Sequence, residues 1–484
     1  MYNLPEIRLG LVAVSRNCFP KSLSAERCSR VAAAFRTMYG ELYECPICVE
    51  NETDVSAALK FLAEQECNAL CIYFGNFGPE TPASILAQEF RGPVMAVGAA
   101  EEDNLIQQRG DAYCGLLNFS YSVGMRKLRV YFPEYPIGTP AECAEKIAQF
   151  LPIARAVVGI RHLKVISFGP HPQDFVACNA PIQPMYDLGI RLEENSELDL
   201  YDSYLQHVGD LRIGQVVEQM TQELGRGNRK PDVLPKLAQY EITLLDWIDA
   251  HRGGSSFVAI AGKCWPAFQT QFGFVPCYVN SRLTSRGIPV ACEVDMYGAL
   301  SQYLGMCITG EDVTIMDINN SVPQHIFREQ AMKYGFRQNE LFMGFHCGNA
   351  PIARMKTPIM SNQLIMARSL PAEKTNGTLE GSMKPGEVTI FRLHSSAESA
   401  LCAFAAEGEF LDVEDNSFGS RGVIAVPEMD RFYRHVLLEH HFPHHAAVAF
   451  SHCYKSLLEA MRLLGVPSEK FFRNYASNER YPTE

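Results

Sequence analysis

The strongest constraint on the fold of this chain is the way apolar runs alternate with helical patterns over its first 160 residues. IRLGLVAVS, ALCIYFGNFG and PVMAVGAA are near-continuous apolar runs, and stretches with helical periodicity separate them. Strands that alternate with helices predict βαβ units and a parallel sheet that is covered on both faces. We therefore expect residues 1–160 to form an α/β domain with its ligand sites at the carboxyl ends of the strands.

The alternation begins again near residue 161 and later gives way to a different pattern. HLKVISFG, SFVAIAGKCW, IPVACE and VTIMDI predict a second α/β domain over residues 161–325. Beyond residue 326, Gly, Pro, Ser and Asn interrupt short runs such as EVTIFRLH and GVIAVP, which indicates a β-rich domain over residues 326–484. The predicted fold class is thus α/β, with two Rossmann-like α/β domains followed by a β-rich, barrel-like carboxy-terminal domain.

Composition excludes several classes of partner. The chain has 43 lysines and arginines against 55 aspartates and glutamates, a formal net charge of −12. This charge argues against nucleic acid or an anionic membrane surface as a partner. No apolar run reaches the roughly 18 residues of a membrane-spanning helix, and no dinucleotide-binding or P-loop motif is present. The first residues lack a basic leader, which predicts a cytoplasmic location. In that reducing compartment we expect the 16 scattered cysteines to be reduced thiols.

Two carboxylates end consecutive apolar runs in the segment 288–320. IPVACE ends at Glu293, a helical pattern follows, and VTIMD ends at Asp317. A β-α-β unit of this length predicts parallel strands, with both carboxylates at the same edge of one sheet. Carboxylates at the ends of buried strands need a partner. A metal ion is one such partner, and helix capping or pairing with arginine is the alternative.

Histidines cluster near the carboxy terminus, where six of the 13 lie between His435 and His452. In HHAAVAFSHC, the strand-like AAVAF carries His445 toward His452, which follows the apolar strand and precedes a predicted helix. A solvated histidine-rich loop is the alternative for residues 435–441. Imidazole and carboxylate together suit a divalent ion such as Mn²⁺, Co²⁺ or Fe²⁺. FHCGNAP also presents His346 and Asn349 in a Gly- and Asn-rich turn, and we consider both as substrate-binding candidates.

Together these segments resemble the L-fucose isomerase and L-arabinose isomerase superfamily, and its fucose isomerase-like branch above all. The resemblance rests on IPVACEVDMYGALSQYLG, MDINN, FHCGNAP and the HH…FSHC segment. SRNCFP, RGDAYCGLLN, GKCWPAF…FGFVPCYVNSRL and KPGEVTIFRL support it. It touches all three predicted domains. The chain is shorter than typical fucose isomerases, which leaves the peripheral substrate contacts open.

The resemblance implies an enzyme, an aldose–ketose isomerase that depends on a divalent metal, usually Mn²⁺. It implies Glu293, Asp317 and His452 as metal ligands, and the two carboxylates also as the acid/base pair acting through a cis-enediol(ate) intermediate. The implied substrate is a small sugar such as a 6-deoxyhexose, a pentose or a 6-sulfo sugar, with conversion of sulfoquinovose to sulfofructose as an example. The family is also usually oligomeric, so we expect a homo-oligomer, a hexamer or tetramer.

Other candidates for substrate binding are less specific. Trp265 offers an aromatic face that would stack on the C–H surface of a sugar, although a core position is the alternative. Arg16, at the end of the first predicted strand, would reach substrate hydroxyls or an anionic group, with a surface arginine as the alternative. Lys263 is a further candidate, and with Arg282 and Arg286 it predicts local positive charge that would suit a phosphate or sulfonate.

Two other functions are compatible with the same residues. One is a non-catalytic sugar-binding or sensing protein on the same fold, in which the carboxylates and histidines would have no catalytic role. The other is a metal-dependent aldolase, which also needs an enediolate. Exchange of the substrate C2 hydrogen with solvent separates the first from an isomerase, and conservation of carbon count separates the second.

Overall fold

The computed structural model describes residues 3–481, which form two compact units. The amino-terminal unit comprises residues 5–158 and 458–465, and the carboxy-terminal unit comprises residues 3–4, 159–457 and 466–481. The three predicted domain ranges stay predictions. Within the described residues, no helix is both long and apolar enough to cross a membrane.

The amino-terminal unit is built on a parallel sheet, which in the described residues has five strands in the order β2-β1-β3-β4-β5. Its three long strands are buried along their whole length, as expected for a sheet covered on both faces. The elements are β1 Leu9–Val14, α1 Lys21–Met38, β2 Tyr43–Glu44, α2 Glu52–Glu64, β3 Ala69–Phe74, α3 Glu80–Glu89, β4 Val94–Ala99, α4 Ala112–Met125, β5 Ile137–Gly138 and α5 Pro140–Arg161.

The carboxy-terminal unit begins with a second parallel sheet, whose described strands have the order β7-β6-β8-β9. The elements are β6 Leu163–Phe168, α6 Gln183–Asp187, β7 Arg191–Asn195, α7 Glu197–Gln206, α8 Ile213–Leu224, α9 Leu234–His251, β8 Phe257–Gly262, α10 Cys277–Ser285, β9 Val290–Cys292 and α11 Met296–Thr309. The two parallel sheets confirm the predicted α/β character of both regions.

The rest of this unit is a mainly antiparallel sheet that closes on itself. The elements are β10 Val313–Ser321, α12 Gln324–Ile326, β11 Leu341–His346, β12 Ile359–Asn362, β13 Asn376–Ser382, β14 Gly386–Ser395, β15 Leu401–Phe410, β16 Ser420–Ala425, α13 Met429–Phe432, β17 His445–Ala449 and β18 Phe471–Arg473. Helix α14, Tyr454–Leu464, belongs to the amino-terminal unit from residue 458 onward. Pairing of β15 with β16 closes a barrel whose strands, among those described, run β16-β11-β10-β17-β14-β15. The predicted barrel-like region is confirmed.

The predicted pairing of the strands that carry Glu293 and Asp317 is wrong. β9 pairs with β8 in the parallel sheet, whereas β10 pairs antiparallel with β11 and β17 in the barrel. The connecting helix α11 is buried on nearly every face, and it contacts strands of both sheets. A helix buried all round reads as apolar on all sides, so its sequence does not reveal that it separates two sheets.

Candidate active site

Asp317 lies within the barrel, between two strands that each supply a histidine. In the antiparallel register, Asp317 stands opposite Phe345 of β11 and His445 of β17. The Nε2 atom of His445 is 3.4 Å from Oδ1 of Asp317. The next residue of β11 is His346, and the rings of His346 and His445 lie 5.5 Å apart. Strand pairing therefore assembles a carboxylate and two imidazoles from three separate segments.

Glu293 reaches the same point from the other sheet. It follows β9, and its Oε2 lies 3.2 Å from Nε2 of His445. Glu293 and the next residue, Val294, both have left-handed backbone, with φ of 62° and 59°. This conformation costs on the order of 1–3 kcal/mol for each such residue and is rarest for β-branched side chains. The strain lies in the turn that directs Glu293 toward the barrel histidine.

A buried ion pair holds His445 in position. The Nδ1 atom of His445 is 2.8 Å from Oδ2 of Asp295. Asp295 forms two 2.8 Å hydrogen bonds with Arg392, and both side chains are fully buried. Asp295 also accepts a hydrogen bond from the Gly298 amide at the start of α11, where an added Cβ would lie 2.5 Å from its carboxylate. The carboxylate thus fixes the imidazole with Nε2 facing Glu293 and Asp317, a common arrangement behind metal-ligating histidines.

The Nδ1 atom of His346 faces a backbone amide, whereas that of His445 faces the carboxylate of Asp295. The Nδ1 of His346 accepts a hydrogen bond from the Cys347 amide at 2.9 Å. A neutral imidazole that accepts at Nδ1 carries its proton on Nε2, and burial lowers the pKa of His346 to about 4. This buried Nε2 makes no hydrogen bond within residues 3–481. His346 therefore offers an N–H donor to a bound molecule.

The two carboxylates differ in proton affinity. Burial raises the pKa of Asp317 to about 7. Burial also acts to raise the pKa of Glu293, but the hydrogen bond and charge of His445 outweigh it and hold that pKa below its usual value. Adjacent carboxylates whose pKa values are driven apart are typical of acid/base pairs.

Cys178 also borders this group of side chains. Its Sγ lies 3.6 Å from Nδ1 of His445 and 4.0 Å from Oε2 of Glu293. Burial raises the pKa of the thiol to about 11. The Sγ of Cys178, with ligand atoms of Glu293 and His445, also forms a group close enough together to hold a metal ion.

A cavity of about 240 Å³ opens in front of the carboxylates. Its lining is mostly aromatic, apolar and uncharged polar: Phe175, Cys264, Trp265, Gln269, Val275, Cys277, Glu293, Asp317, Asn319, Phe345, Cys347, Gln363, Ile365, Met366 and His444. Within the described chain, no lysine or arginine belongs to this lining. A larger cavity of about 680 Å³ shares Asn319 but contains neither carboxylate nor histidine of the group, so we locate the site at the smaller one.

The structure brings several predicted site residues together. Glu293 and Asp317 meet at His445, and Trp265 lines the cavity beside them. Phe175 packs edge-on against Trp265, with ring centroids 6.3 Å apart. The catalytic, metal-binding and substrate-binding roles given to these residues stay predictions.

The structure does not bring His452 to the two carboxylates, and its role as a metal ligand stays a prediction. β17 runs antiparallel to β10, so Asp317 pairs with His445 at the start of β17 while Val313 pairs with Ala449 at its end. His452 lies beyond that far end. Its side chain is 42% exposed, and its Nε2 is 3.0 Å from the carbonyl oxygen of Gly408.

The three basic residues expected to supply local positive charge are each paired with a carboxylate, and the substrate-binding role of Lys263 stays a prediction. Lys263 pairs with Glu197 at 2.6 Å. Arg282 pairs with Glu241 at 2.6 Å, and Arg286 pairs with the same carboxylate at 2.8 Å. Sequence reasoning missed these pairs because the acidic partners are distant in the chain.

Two other predicted contacts remain open. Arg16 belongs to the amino-terminal unit, where it pairs with Glu80 at 3.0 Å and stacks over Phe77 at 4.2 Å. Asn349 is buried, its Oδ1 makes no hydrogen bond within the described part of the chain, and it is not among the cavity-lining residues. Their roles in substrate binding stay predictions.

Sequence reasoning missed five residues that build the site: His445, Asp295, Arg392, Phe175 and Cys178. The signal for His445 was its place as the first residue of an apolar strand, which an antiparallel partner brings level with Asp317. Asp295 lies in the motif that includes Glu293, but its partner Arg392 is 97 residues away. We find no local signal for Arg392, Phe175 or Cys178.

Two protein-family models match separate parts of the chain. The model of the fucose/sulfoquinovose isomerase N-terminal domain matches residues 10–161, and that of the L-fucose isomerase C-terminal domain matches residues 344–470. The two matches together cover more than half of the chain. The chain belongs to the fucose isomerase-like family. A fucose isomerase-like chain is an enzyme, an aldose–ketose isomerase, and the family is in general metal-dependent.

Curated relatives of this fucose isomerase-like chain are named sulfoquinovose isomerases. A sulfoquinovose isomerase of Alkalicoccus urumqiensis is 25% identical over 337 residues, which cover 68% of this chain and 70% of that protein. A sulfoquinovose isomerase of Priestia aryabhattai is 24% identical over 343 residues, which cover 70% of this chain and 71% of that protein. At this distance the likeness supports a sugar isomerase and a small sugar substrate.

Proposed function

We propose that the chain interconverts an aldose and a ketose with a divalent metal, Mn²⁺ by preference, through a cis-enediol(ate) intermediate. One observation carries the proposal: Glu293, Asp317 and His445 converge within 3.4 Å contacts beside a cavity with an aromatic wall. A site that merely binds sugar does not require two carboxylates that converge on one buried imidazole.

The residues fit a divalent cation. Oδ1 of Asp317 makes no hydrogen bond within the described residues, and Nε2 of His445 lies between the two carboxylates. Carboxylate oxygens with one imidazole and no thiolate suit Mn²⁺ rather than a structural zinc. We propose Glu293, Asp317 and His445 as the ligands. When bound, the ion supplies Lewis-acid stabilisation of developing negative charge, worth several kcal/mol.

The side chains divide the proton transfers. One carboxylate removes the proton from C2 of the sugar and returns it to C1, and the other moves the hydroxyl proton. Groups in such roles typically contribute about 10²–10⁴-fold each. The Nε2–H of His346 donates to a substrate oxygen, which agrees with the substrate-binding role predicted for it. Trp265 and Phe175 pack against the C–H face of the sugar and exclude water.

The substrate we propose is a five- or six-carbon aldose, either a neutral sugar or one that carries a sulfonate. The uncharged lining of the cavity favours a neutral sugar such as L-fucose or D-arabinose. The names of the relatives favour sulfoquinovose, whose sulfonate would need a cation outside this lining, with Arg16 as the predicted candidate. We also keep the cytoplasmic location and the homo-oligomeric state as proposals.

The test is a panel of L-fucose, D-arabinose, L-arabinose and sulfoquinovose with Mn²⁺, followed by NMR in D₂O. An isomerase forms a ketose with the same number of carbons. A sugar-binding protein gives neither ketose nor exchange at C2, and an aldolase gives shorter products. The Glu293→Gln variant is the control for contaminating activity.

A further inference from the structure

The outer face of helix α4 carries an apolar stripe exposed to solvent. Tyr113, Leu117, Tyr121 and Met125 follow one another at four-residue intervals, and each exposes between 63% and 70% of its surface. Residues spaced in this way lie on one side of a helix. We call these four side chains the α4 stripe. Single exposed apolar residues are ordinary, but a contiguous row of large ones marks an interaction surface.

The packing of α4 within its own unit is already complete on its other faces. Leu116, Phe119 and Val123 are buried in the core. Three hydrogen bonds tie α4 to α3 at successive turns: Asn118 to Glu80, Ser122 to Ser84 and Arg126 to Gln88. The α4 stripe is therefore not needed to hold the helix in place.

The composition of α4 is unusual for a helix with so much exposed surface. Its sequence, AYCGLLNFSYSVGM, contains no charged residue over 14 positions. Solvated helix faces normally carry charges, whereas charged residues are depleted at the centres of protein interfaces and aromatic residues and Met are enriched. The face has the composition of an interface centre.

We propose that the α4 stripe packs against the α4 stripe of a second copy of this chain, with the two helices antiparallel about a two-fold axis. In a two-fold contact, a residue i that meets residue j of the second copy implies that residue j also meets residue i of the second copy. Centred on the middle of the stripe, Tyr113 meets Met125 of the second copy, and Leu117 meets its Tyr121. Each aromatic ring then packs on an aliphatic side chain. Cys114 meets Gly124, around which an added Cβ finds no atom within 4 Å.

Charge at the helix ends fits this arrangement. The same symmetry sets Asp111, just before α4, opposite Lys127 of the second copy, just after it, and Asp111 also pairs with Arg109 of its own copy at 2.8 Å. A parallel arrangement would instead set Asp111 against Asp111 and Lys127 against Lys127. Antiparallel pairing also brings opposite ends of the two helix dipoles together. The charges therefore favour the two-fold antiparallel contact.

The α4 stripe supplies the centre, but not the whole, of the area that a standard dimer contact requires. The four side chains expose on the order of 500 Å² in total, from the typical areas of such residues. A standard interface buries about 800 Å² from each partner. The uncharged neighbours Cys114, Ser120 and Gly124, all exposed, lie on the same side of the helix and extend the surface. The stripe is the centre of a contact, surrounded by the polar ends of α4.

The oligomeric state of the full-length protein tests the proposal. Leu117→Glu places a charge at the centre of the contact, and we expect the particle mass from light scattering at micromolar concentration to fall at least two-fold. Leu211→Glu is the matched control, because Leu211 is 99% exposed in the other unit, and it should leave the mass unchanged. A monomeric wild type, or an unchanged mass for a folded Leu117→Glu protein, would overturn the proposal.

Crosslinking tests the antiparallel geometry and does not depend on Leu117→Glu folding. Gly124→Cys places a thiol opposite Cys114 of the second copy. Mild oxidation with copper phenanthroline should yield a covalent dimer that Cys114→Ser abolishes. A covalent dimer from the wild type, through Cys114 alone, would indicate parallel packing and contradict the proposal, as would no dimer at all. Neither readout uses sugar turnover, so both are independent of the proposed function.

Discussion

Two groups of charged residues in the carboxy-terminal unit, each built around a buried side chain, are paired in different ways. Around Glu241, the guanidinium groups of Arg282 and Arg286 both lie within ion-pair distance of one carboxylate. Around His445, the carboxylates of Glu293 and Asp317 lie beside a cavity, and Oδ1 of Asp317 makes no hydrogen bond within the described chain. A buried charge that the chain itself pairs contributes to stability, whereas polar atoms left open toward a cavity are available to a ligand.

The backbone shows the same contrast. Glu241 lies within the regular helix α9, but Glu293 and Val294 hold left-handed φ angles. Such strain persists where the surrounding structure enforces it and is concentrated at functional sites. We therefore call the group of Glu241, Arg282 and Arg286 the closed group, and that of Glu293, Asp317, His346 and His445 the open group.

The largest expected effect is that of neutralising a carboxylate of the open group. Glu293→Gln or Asp317→Asn should lower kcat/KM by about 10³-fold or more, because each removes a proton-transfer group and a metal ligand. The melting temperature of the metal-free protein should change little, since neither carboxylate is fully paired. Steady-state kinetics and thermal melts measure the two effects. Near-wild-type turnover with metal bound would rule out the assignment.

The next effect is that of the positioning carboxylate behind His445. Asp295→Asn should weaken metal binding about 10–100-fold, the usual consequence of losing such an outer partner. It also leaves Arg392 without its anionic partner, so metal affinity must be measured at a temperature where the variant is folded, by competition with a chelating dye.

Glu241→Gln is the matched control for Asp295→Asn, and it also tests the closed group. It removes one of the two anionic partners of Arg282, which also pairs with Glu223, and should cost about 1–3 kcal/mol in the free energy of unfolding, measured by urea denaturation. Metal affinity and kcat of the folded protein should stay within about two-fold, below the range expected for a lost outer partner. A large fall in metal affinity here would erase the distinction between the two groups.

The smallest expected effect is that of His452→Ala, compared with His445→Ala. Since His452 is 42% exposed and lies beyond the far end of β17, its removal should change turnover by less than about two-fold, as for most surface substitutions. His445→Ala should abolish metal-dependent turnover. Equal losses for the two variants would return His452 to the ligand set.

Much of the fold was predictable because its signals are local. The apolar runs that became β1, β3 and β4 are interrupted by helical periodicity, and α14 spans Tyr454–Leu464 as its pattern and the following Gly465 and Pro467 indicate. The site was predictable only in part. Glu293 and Asp317 carry a local motif, but the sequence pointed to His452, whereas the structure brings His445 to them, because the sequence of a strand does not reveal its direction in the barrel.

The sequence by itself determined the α/β and barrel classes and the family, and it pointed to Glu293 and Asp317 as candidate site residues. These depend on periodicity and on short motifs, which are properties of neighbouring residues. Only the tertiary structure decided that β9 and β10 belong to different sheets, that His445 completes the group, and that the basic residues near the site are already paired. Each of these depends on contacts between residues far apart in the chain, where the antiparallel register and buried ion pairs select one partner among many.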